Sequence, residues 1–377
     1  MASIPFIDLQ AQRKRLGAPL ERAIAAAVEG GQWIMGPQVR ALEEQLEAFA
    51  GVKHAIACAN GTDALHIILR AWDIGAGDAV FVPAFTYGAS AEAIVLAGGV
   101  PVFVDVLDDT FNMAPASLEA AIQMVKREAK LRPRVVMSVD LFGQPADYRA
   151  LEATVKRENL LMLCDTAQGF GGTLDGRQTA AIGDAAATSF FPAKPFGCYG
   201  DGGCCFTNDD ELDALLRSIR IHGQGRDKYE NVRIGVNSRL DTIQAAVLLE
   251  KLQIFPDEIE ARERIARRYS EGFARSNRIR VPQVIDGAQS VWAQYTIQVP
   301  DRDRVKSELE AKGIPAQTYY LTPLTAQLAF REFPSVPLPV SEKLGHTVLA
   351  LPMHAYLDEA TQDRIIDAVL ESVGRTG

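Results

Sequence analysis

The chain has 377 residues, 47% hydrophobic and 23% charged, which is globular composition and excludes a disordered or fibrous chain. Its 39 basic against 48 acidic residues leave a net charge of −9, so nucleic acid is not an expected partner. Cys58, Cys164, Cys198, Cys204 and Cys205 show neither disulfide nor zinc spacing, the N-terminus lacks an apolar signal core, and the longest apolar run, Ala93–Val104, is broken by Gly98, Gly99 and Pro101. The expectation is a cytoplasmic chain with no membrane span.

Apolar runs and helical periods alternate over the first two thirds. Strands are expected at His54–Ala59, Ala79–Pro83, Pro101–Val106, Arg134–Val139, Leu160–Cys164, Thr188–Phe191 and Gly203–Thr207. Helices are expected between most of them, at Asp63–Ala71, Ser90–Leu96, Pro115–Val125, Tyr148–Arg157 and Asp209–Arg220. Continuous apolar strands separated by helices predict a mainly parallel α/β sheet covered on both faces. Helices follow at Asp241–Ile254 and Asp257–Ala274, then a strand at Val291–Val299 and helices at Arg302–Lys312 and Ala360–Val373; the Pro-rich stretch Phe333–Pro339 reads as a loop. The division expected is a large α/β domain over residues 1–252 and a smaller α+β domain over 253–377.

Ligands of such sheets sit at the carboxyl ends of the strands. Lys194 follows a strand and precedes Gly197, Gly200, Gly202 and Gly203. It is either part of a tight turn or a desolvated amine able to act as a Schiff-base nucleophile. Asp165 ends an apolar strand, either as a cap or as a carboxylate for a pyridinium nitrogen. In Ala59–Leu65, ANGTDAL, a strand, an Asn-Gly-Thr turn and a helix start suit an anion, although an ordinary cap reads the same. Tyr87 either stacks on a planar ring or is core. One ligand serves all four: pyridoxal 5′-phosphate (PLP), with its aldehyde, ring nitrogen, flat face and phosphate. The histidines, His54, His66, His222, His346 and His354, show no metal-ligand spacing, so no metal is expected. A nicotinamide-dependent oxidoreductase would need G-x-G-x-x-G where ANGTDAL stands.

The motifs ANGTDAL, Asp165–Gln168 (D-x-A-Q), SFFPAKPFGCYGDGG from Ser189, and GVNSRLD over Gly235–Asp241 resemble the DegT/StrS-type nucleotide-sugar aminotransferases, of the aspartate-aminotransferase superfamily (fold type I). The resemblance runs from Pro5–Leu9 to Leu351–Leu357. It implies that Lys194 carries the cofactor, Asp165 pairs with its ring nitrogen, and Gln168 lies near its hydroxyl. It also implies that Gly61, Thr62 and Ser189 hold the phosphate and that Tyr87 stacks on the ring. Asn237 would reach the phosphate in a neighbouring subunit, making a homodimer with shared active sites the minimal unit. Within the family, the sequence looks most like enzymes that aminate C3 of a UDP-linked 2-acetamido-3-keto-hexuronate, with glutamate as donor, for a cell-surface polysaccharide such as O-antigen. There Arg239 would bind the uronate carboxylate, with Tyr319, Tyr320 and His222 lining the substrate side. That subgroup carries His-Tyr where this chain has Tyr319–Tyr320. A dTDP- or UDP-linked 3-keto or 4-keto deoxyhexose is the alternative substrate. A non-catalytic PLP-binding regulator is the alternative of another class.

Overall fold

The computed structural model describes residues 4–227 and 229–374. Seven strands form the main sheet: β1 (His54–Cys58), β2 (Asp78–Pro83), β3 (Val100–Val104), β4 (Arg132–Val139), β5 (Leu161–Asp165), β6 (Ala185–Ser189) and β7 (Gly203–Thr207), in the order β1-β7-β6-β5-β4-β2-β3. Only β7 runs against the rest, pairing antiparallel with β1 and β6. Two expectations are corrected. The strand placed at Thr188–Phe191 starts earlier, at Ala185, because aromatic Phe191 is not in a strand but exposed in the following loop. The Pro-rich stretch is more than a loop: Phe103 N–H donates to Pro334 O at 2.9 Å, so Phe333–Val336 covers the β3 edge, and Pro339 opens a helix to Thr347.

Alternation along the strands builds two cores. Ala57, Phe81, Val104, Val136, Cys164 and Cys204 face the helices Pro37–Ala50, Pro115–Glu128 and Tyr148–Glu158. Ile56, Val80, Val82, Met137, Leu163 and Cys205 face the helices Gly61–Ala71, Gly88–Leu96 and Asp210–Arg220. A side-chain period of two with helices on both faces requires apolar residues on both, which is why these strands read as unbroken apolar runs. All five cysteines are free and buried. A third core surrounds β8 (Tyr295–Gln298) and β9 (Val348–Leu351), which pair antiparallel. The helix Phe255–Phe273 spans two cores: Phe255 and Ile259 join the first, Ile265 to Phe273 the third. Among the described residues no helix is long and apolar enough to cross a membrane.

The topology brings one edge of the sheet together. Six strands end there, at Cys58, Pro83, Val104, Val139, Asp165 and Ser189, and β7 begins there at Gly203.

Candidate active site

Asp165 and Lys194 meet at this edge. β5 and β6 are adjacent and parallel, with Asp165 opposite Ala187, and Lys194 lies in the turn after β6. Asp165 is buried. Its Oδ2 accepts the Ser90 hydroxyl at 2.7 Å and its Oδ1 accepts the Ala167 N–H at 3.1 Å. Burial pushes this carboxyl above the usual range, opposed by those two bonds and by the charge of Lys194. Burial lowers the Lys194 amine in turn, with the Asp165 charge opposing. Burial and the opposing charge thus act in opposite senses on each group, and the lowered amine gives up its proton more readily than an exposed lysine does.

The second cluster is at the end of β1. Asn60 caps the helix Gly61–Ala71, its Oδ1 accepting Asp63 N–H at 2.8 Å. Its carbonyl takes Ala64 N–H. Among the described residues no hydrogen bond is seen from the Gly61 or Thr62 N–H group, and a helix start of this kind favours an anion. Gly61 is required by packing: a Cβ there would stand 2.7 Å from Ser189 Cβ. A Cβ on Gly203 would come within 2.4 Å of the Asn60 carbonyl. The glycines thus let the Asn-Gly-Thr turn lie directly on the ends of β6 and β7.

Gln168 is buried. Its Oε1 accepts Phe142 N–H at 2.8 Å and its Nε2 donates to Tyr320 Oη at 3.4 Å. Leu324 N–H donates to Ala84 O at 2.8 Å, which brings the Tyr319–Tyr320 segment over the end of β2. The Tyr320 ring lies 6.4 Å from that of Tyr87 and 6.0 Å from that of Tyr319. Tyr87 is 62% exposed, so it is not core. Beside it, Thr86 Oγ1 is buried with no hydrogen-bond partner.

GVNSRLD runs along the end of the helix Asp210–Arg220 and reaches the same edge, where Ser238 Oγ accepts Ala59 N–H at 3.1 Å. Arg239 is half-buried and, among the described residues, has no ion pair, with Asp241 or any other acid. Asn237 is exposed. His222 is exposed too, held through its backbone to Val236 and Asn231, and its ring has no hydrogen bond or ion pair among the described residues. Its backbone is tied to the segment that carries Asn237 and Arg239, but among the described residues its ring touches none of the other candidates through a hydrogen bond or ion pair.

Two groups at the edge escaped the sequence reading. Ser90 lies three residues after Tyr87 in the first helical turn; that spacing was its only signal. Asp140 follows the end of β4, is fully buried, and accepts Ala146 N–H at 2.9 Å and the Tyr148 hydroxyl at 2.7 Å. Burial pushes its carboxyl up to about 7.

The residues present fit PLP. A buried carboxylate, an adjacent desolvated amine, a glycine-dependent helix start and an unpartnered Thr86 hydroxyl stand along one edge.

Comparison with known proteins agrees. The DegT/DnrJ/EryC1/StrS aminotransferase family model matches residues 15–370. A Pseudomonas aeruginosa protein named UDP-2-acetamido-2-deoxy-3-oxo-D-glucuronate aminotransferase is 43% identical, over 95% of this chain and 97% of its own. The crystal structure of a DegT DnrJ EryC1 StrS aminotransferase from Brucella abortus superposes with a TM-score of 0.97 at 51% identity, covering 99% of this chain and 100% of that one. A putative sugar aminotransferase of Streptococcus pneumoniae, solved in its pyridoxamine-phosphate (PMP) form, gives a TM-score of 0.90 at 25% identity, over 99% of this chain and 98% of that one. The chain belongs to the DegT/DnrJ/EryC1/StrS aminotransferase family, and it is a PLP-dependent enzyme of fold type I.

Proposed function

We propose that the enzyme moves the amino group of glutamate to C3 of UDP-2-acetamido-2-deoxy-3-dehydro-glucuronate. It acts as a cytoplasmic homodimer in the assembly of a cell-surface polysaccharide such as O-antigen. Glutamate leaves as its 2-oxo acid, whose new oxygen comes from water, and the sugar's keto oxygen leaves as water, so no water is gained or lost overall. In this reading residues 1–252 form the cofactor unit and residues 253–377 a smaller unit on the substrate side. The observation that carries the choice of an acidic sugar is Arg239, a half-buried residue without an ion pair among the described residues, and the name of the Pseudomonas relative points the same way.

When bound, PLP supplies an aldehyde that takes up amino groups and a ring that withdraws electrons. Gly61 and Thr62 N–H groups and the Ser189 hydroxyl hold its phosphate. Tyr87 covers its ring and Gln168 lies at its hydroxyl. Asp165, kept in place by Ser90, holds a proton on the ring nitrogen. Lys194 would carry the cofactor; freed from it, its Nζ would take the proton from the amino donor's α-carbon and deliver it to the cofactor, and would move a proton the opposite way when the sugar carbon is aminated, as base and acid in turn. Arg239, Tyr319, Tyr320 and His222 line the substrate, and Asn237 reaches the phosphate site of the partner subunit.

The test compares a UDP-linked 3-keto-hexuronate with its neutral hexose counterpart. A guanidinium left unpaired by a neutral C6 costs affinity in the transition state, so kcat/KM falls by on the order of a hundredfold or more for the neutral sugar. Arg239→Ala narrows that gap by harming the uronate. Equal or faster turnover of a neutral 6-deoxy sugar by the native enzyme removes the uronate reading and leaves the aminotransferase in place.

A further inference from the structure

The segment holding Asn237 and Arg239 is fastened on two sides. On one, it is zipped to the end of the helix Asp210–Arg220. Val236 N–H donates to Ile219 O at 2.8 Å, His222 N–H to Val236 O at 2.8 Å, and Ser238 N–H to Arg220 O at 2.9 Å. On the other, the fully buried Ser238 takes the Ala59 N–H on its Oγ at 3.1 Å. Ala59 lies two residues before Gly61.

Arg220 closes the loop of contacts. Its carbonyl holds Ser238, while its guanidinium holds β1: Nη1 donates to Ala57 O at 2.7 Å and to Glu43 Oε1 at 2.6 Å. Glu43 Oε1 in turn accepts Ala57 N–H at 2.9 Å. Both main-chain groups of Ala57 are therefore bound by one buried ion pair. The Asn-Gly-Thr turn and the Arg239 segment are both tied back to Arg220, and Ser238, through Ala59 at the start of the turn, is the direct tie between them among these bonds.

We infer that Ser238, backed by Arg220 and Glu43, is a positioning residue that sets the Gly61–Thr62 turn of one active site and the Arg239 segment, which serves the partner subunit's site, relative to each other, so that phosphate binding in one site and recognition of the acidic sugar in the other are coupled through its hydroxyl. The inference rests on the reading that Gly61 and Thr62 hold the phosphate and that Arg239 holds the substrate carboxylate. An anion site made of main-chain N–H groups has no side chain to adjust its aim, so the turn must be held from behind. Removing the Ser238 oxygen leaves the Ala59 N–H without its acceptor and frees the turn to shift. The same loss unfastens Arg239 from the cofactor edge. A brace that only stabilised the fold would lower unfolding temperature without distinguishing one ligand from another.

The experiment uses the full chain freed of cofactor, titrated by fluorescence with PMP and, separately, with pyridoxamine, which lacks the phosphate. Ser238→Ala is expected to weaken PMP about tenfold while leaving pyridoxamine unchanged, the loss expected for one buried donor left unpaired. In the reloaded enzyme it raises KM for the UDP-uronate more than it lowers kcat. Ser238→Gly gives the same reading should the alanine variant fail to fold. Gly61→Ala serves as reference for the phosphate turn. If Gly61→Ala removes the preference for PMP and the Ser238 variants do not, the coupling is overturned and the phosphate reading stands. Equal weakening of both ligands by the Ser238 variants also overturns it, since that marks a general brace. If Gly61→Ala leaves the preference intact, the phosphate reading itself fails and the inference falls with it.

Discussion

The cofactor side and the substrate side of the edge are held in different ways. Asp165, Gln168 and Ser90 are buried and have partners at 2.7–3.4 Å, and they stand on a strand end, the turn after it or a first helical turn. His222 is exposed, Arg239 has no counter-ion among the described residues, and Tyr319–Tyr320 lie on a crossing loop. On the proposed assignment, the sheet presets most of the groups that would meet the cofactor, while loops carry those that would meet the sugar. Chemistry common to a family needs the rigid part, and substrate choice is free to vary on the other.

The largest test of that contrast is Lys194→Ala, expected to abolish transamination with the fold retained. In the native enzyme, borohydride reduction followed by mass spectrometry should find the cofactor on Lys194, and a different lysine would break the assignment. Mixed with Arg239→Ala chains, the inactive Lys194→Ala chains should recover activity. A hybrid dimer has one site with both lesions and one with neither, provided the two sides come from different subunits. Failure to recover after demonstrated exchange would put both sides in one chain.

Next is Asp165→Asn, which should keep cofactor yet lose roughly 10²–10³ in kcat, as removal of a preorganised charge does. Near-native kcat would reduce Asp165 to a structural cap.

A third test concerns stability. Burial lifts the Asp140 carboxyl to about 7 from an ordinary 3.8. Between those values the folded chain holds a proton that the unfolded chain has lost, so this group's contribution to stability falls as pH rises through the window. Asp140→Asn should therefore gain on the native chain in urea titrations from pH 4 to 7. An advantage that does not grow with pH would show the carboxylate ionising freely at the edge.

The smallest effect belongs to the loop side: Tyr319→Phe removes one neutral hydrogen bond, about 0.5–1.5 kcal/mol, read as a rise in KM with kcat kept. A collapse of kcat would move Tyr319 to the rigid side of the comparison.

Much of this was legible before any coordinates. β2 and β5 announce themselves as near-continuous apolar runs, and Asp165 and Lys194 stand out because a charge beside such a run needs a reason. The helices Leu9–Glu29 and Pro37–Ala50 were not read; the first carries Gly17 with non-helical angles and Pro19 within it. Strand β9 is only Val348–Leu351, too short for a period to show. The reversal of β7 left no trace, since a strand buried on both faces reads the same in either direction. Ser90, Asp140, Arg220 and Ser238 looked like ordinary polar residues because their meaning comes from partners far off in sequence: Ser238 lies 179 residues from Ala59.

The sheet's two rims have a consequence for the chain's life in a crowded solution. On β1, Glu47 and Glu43 accept the outward N–H groups of Ala55 and Ala57, while Arg217 and Arg220 donate to their carbonyls. On β3, Phe103 is taken by Pro334 and Val336. Neither rim offers a bare row of main-chain donors and acceptors for a stranger's strand to copy, so fibre growth by templating is blocked at both ends. Association of native molecules is left to helical faces and loops, where side chains, and therefore selection, decide who pairs with whom.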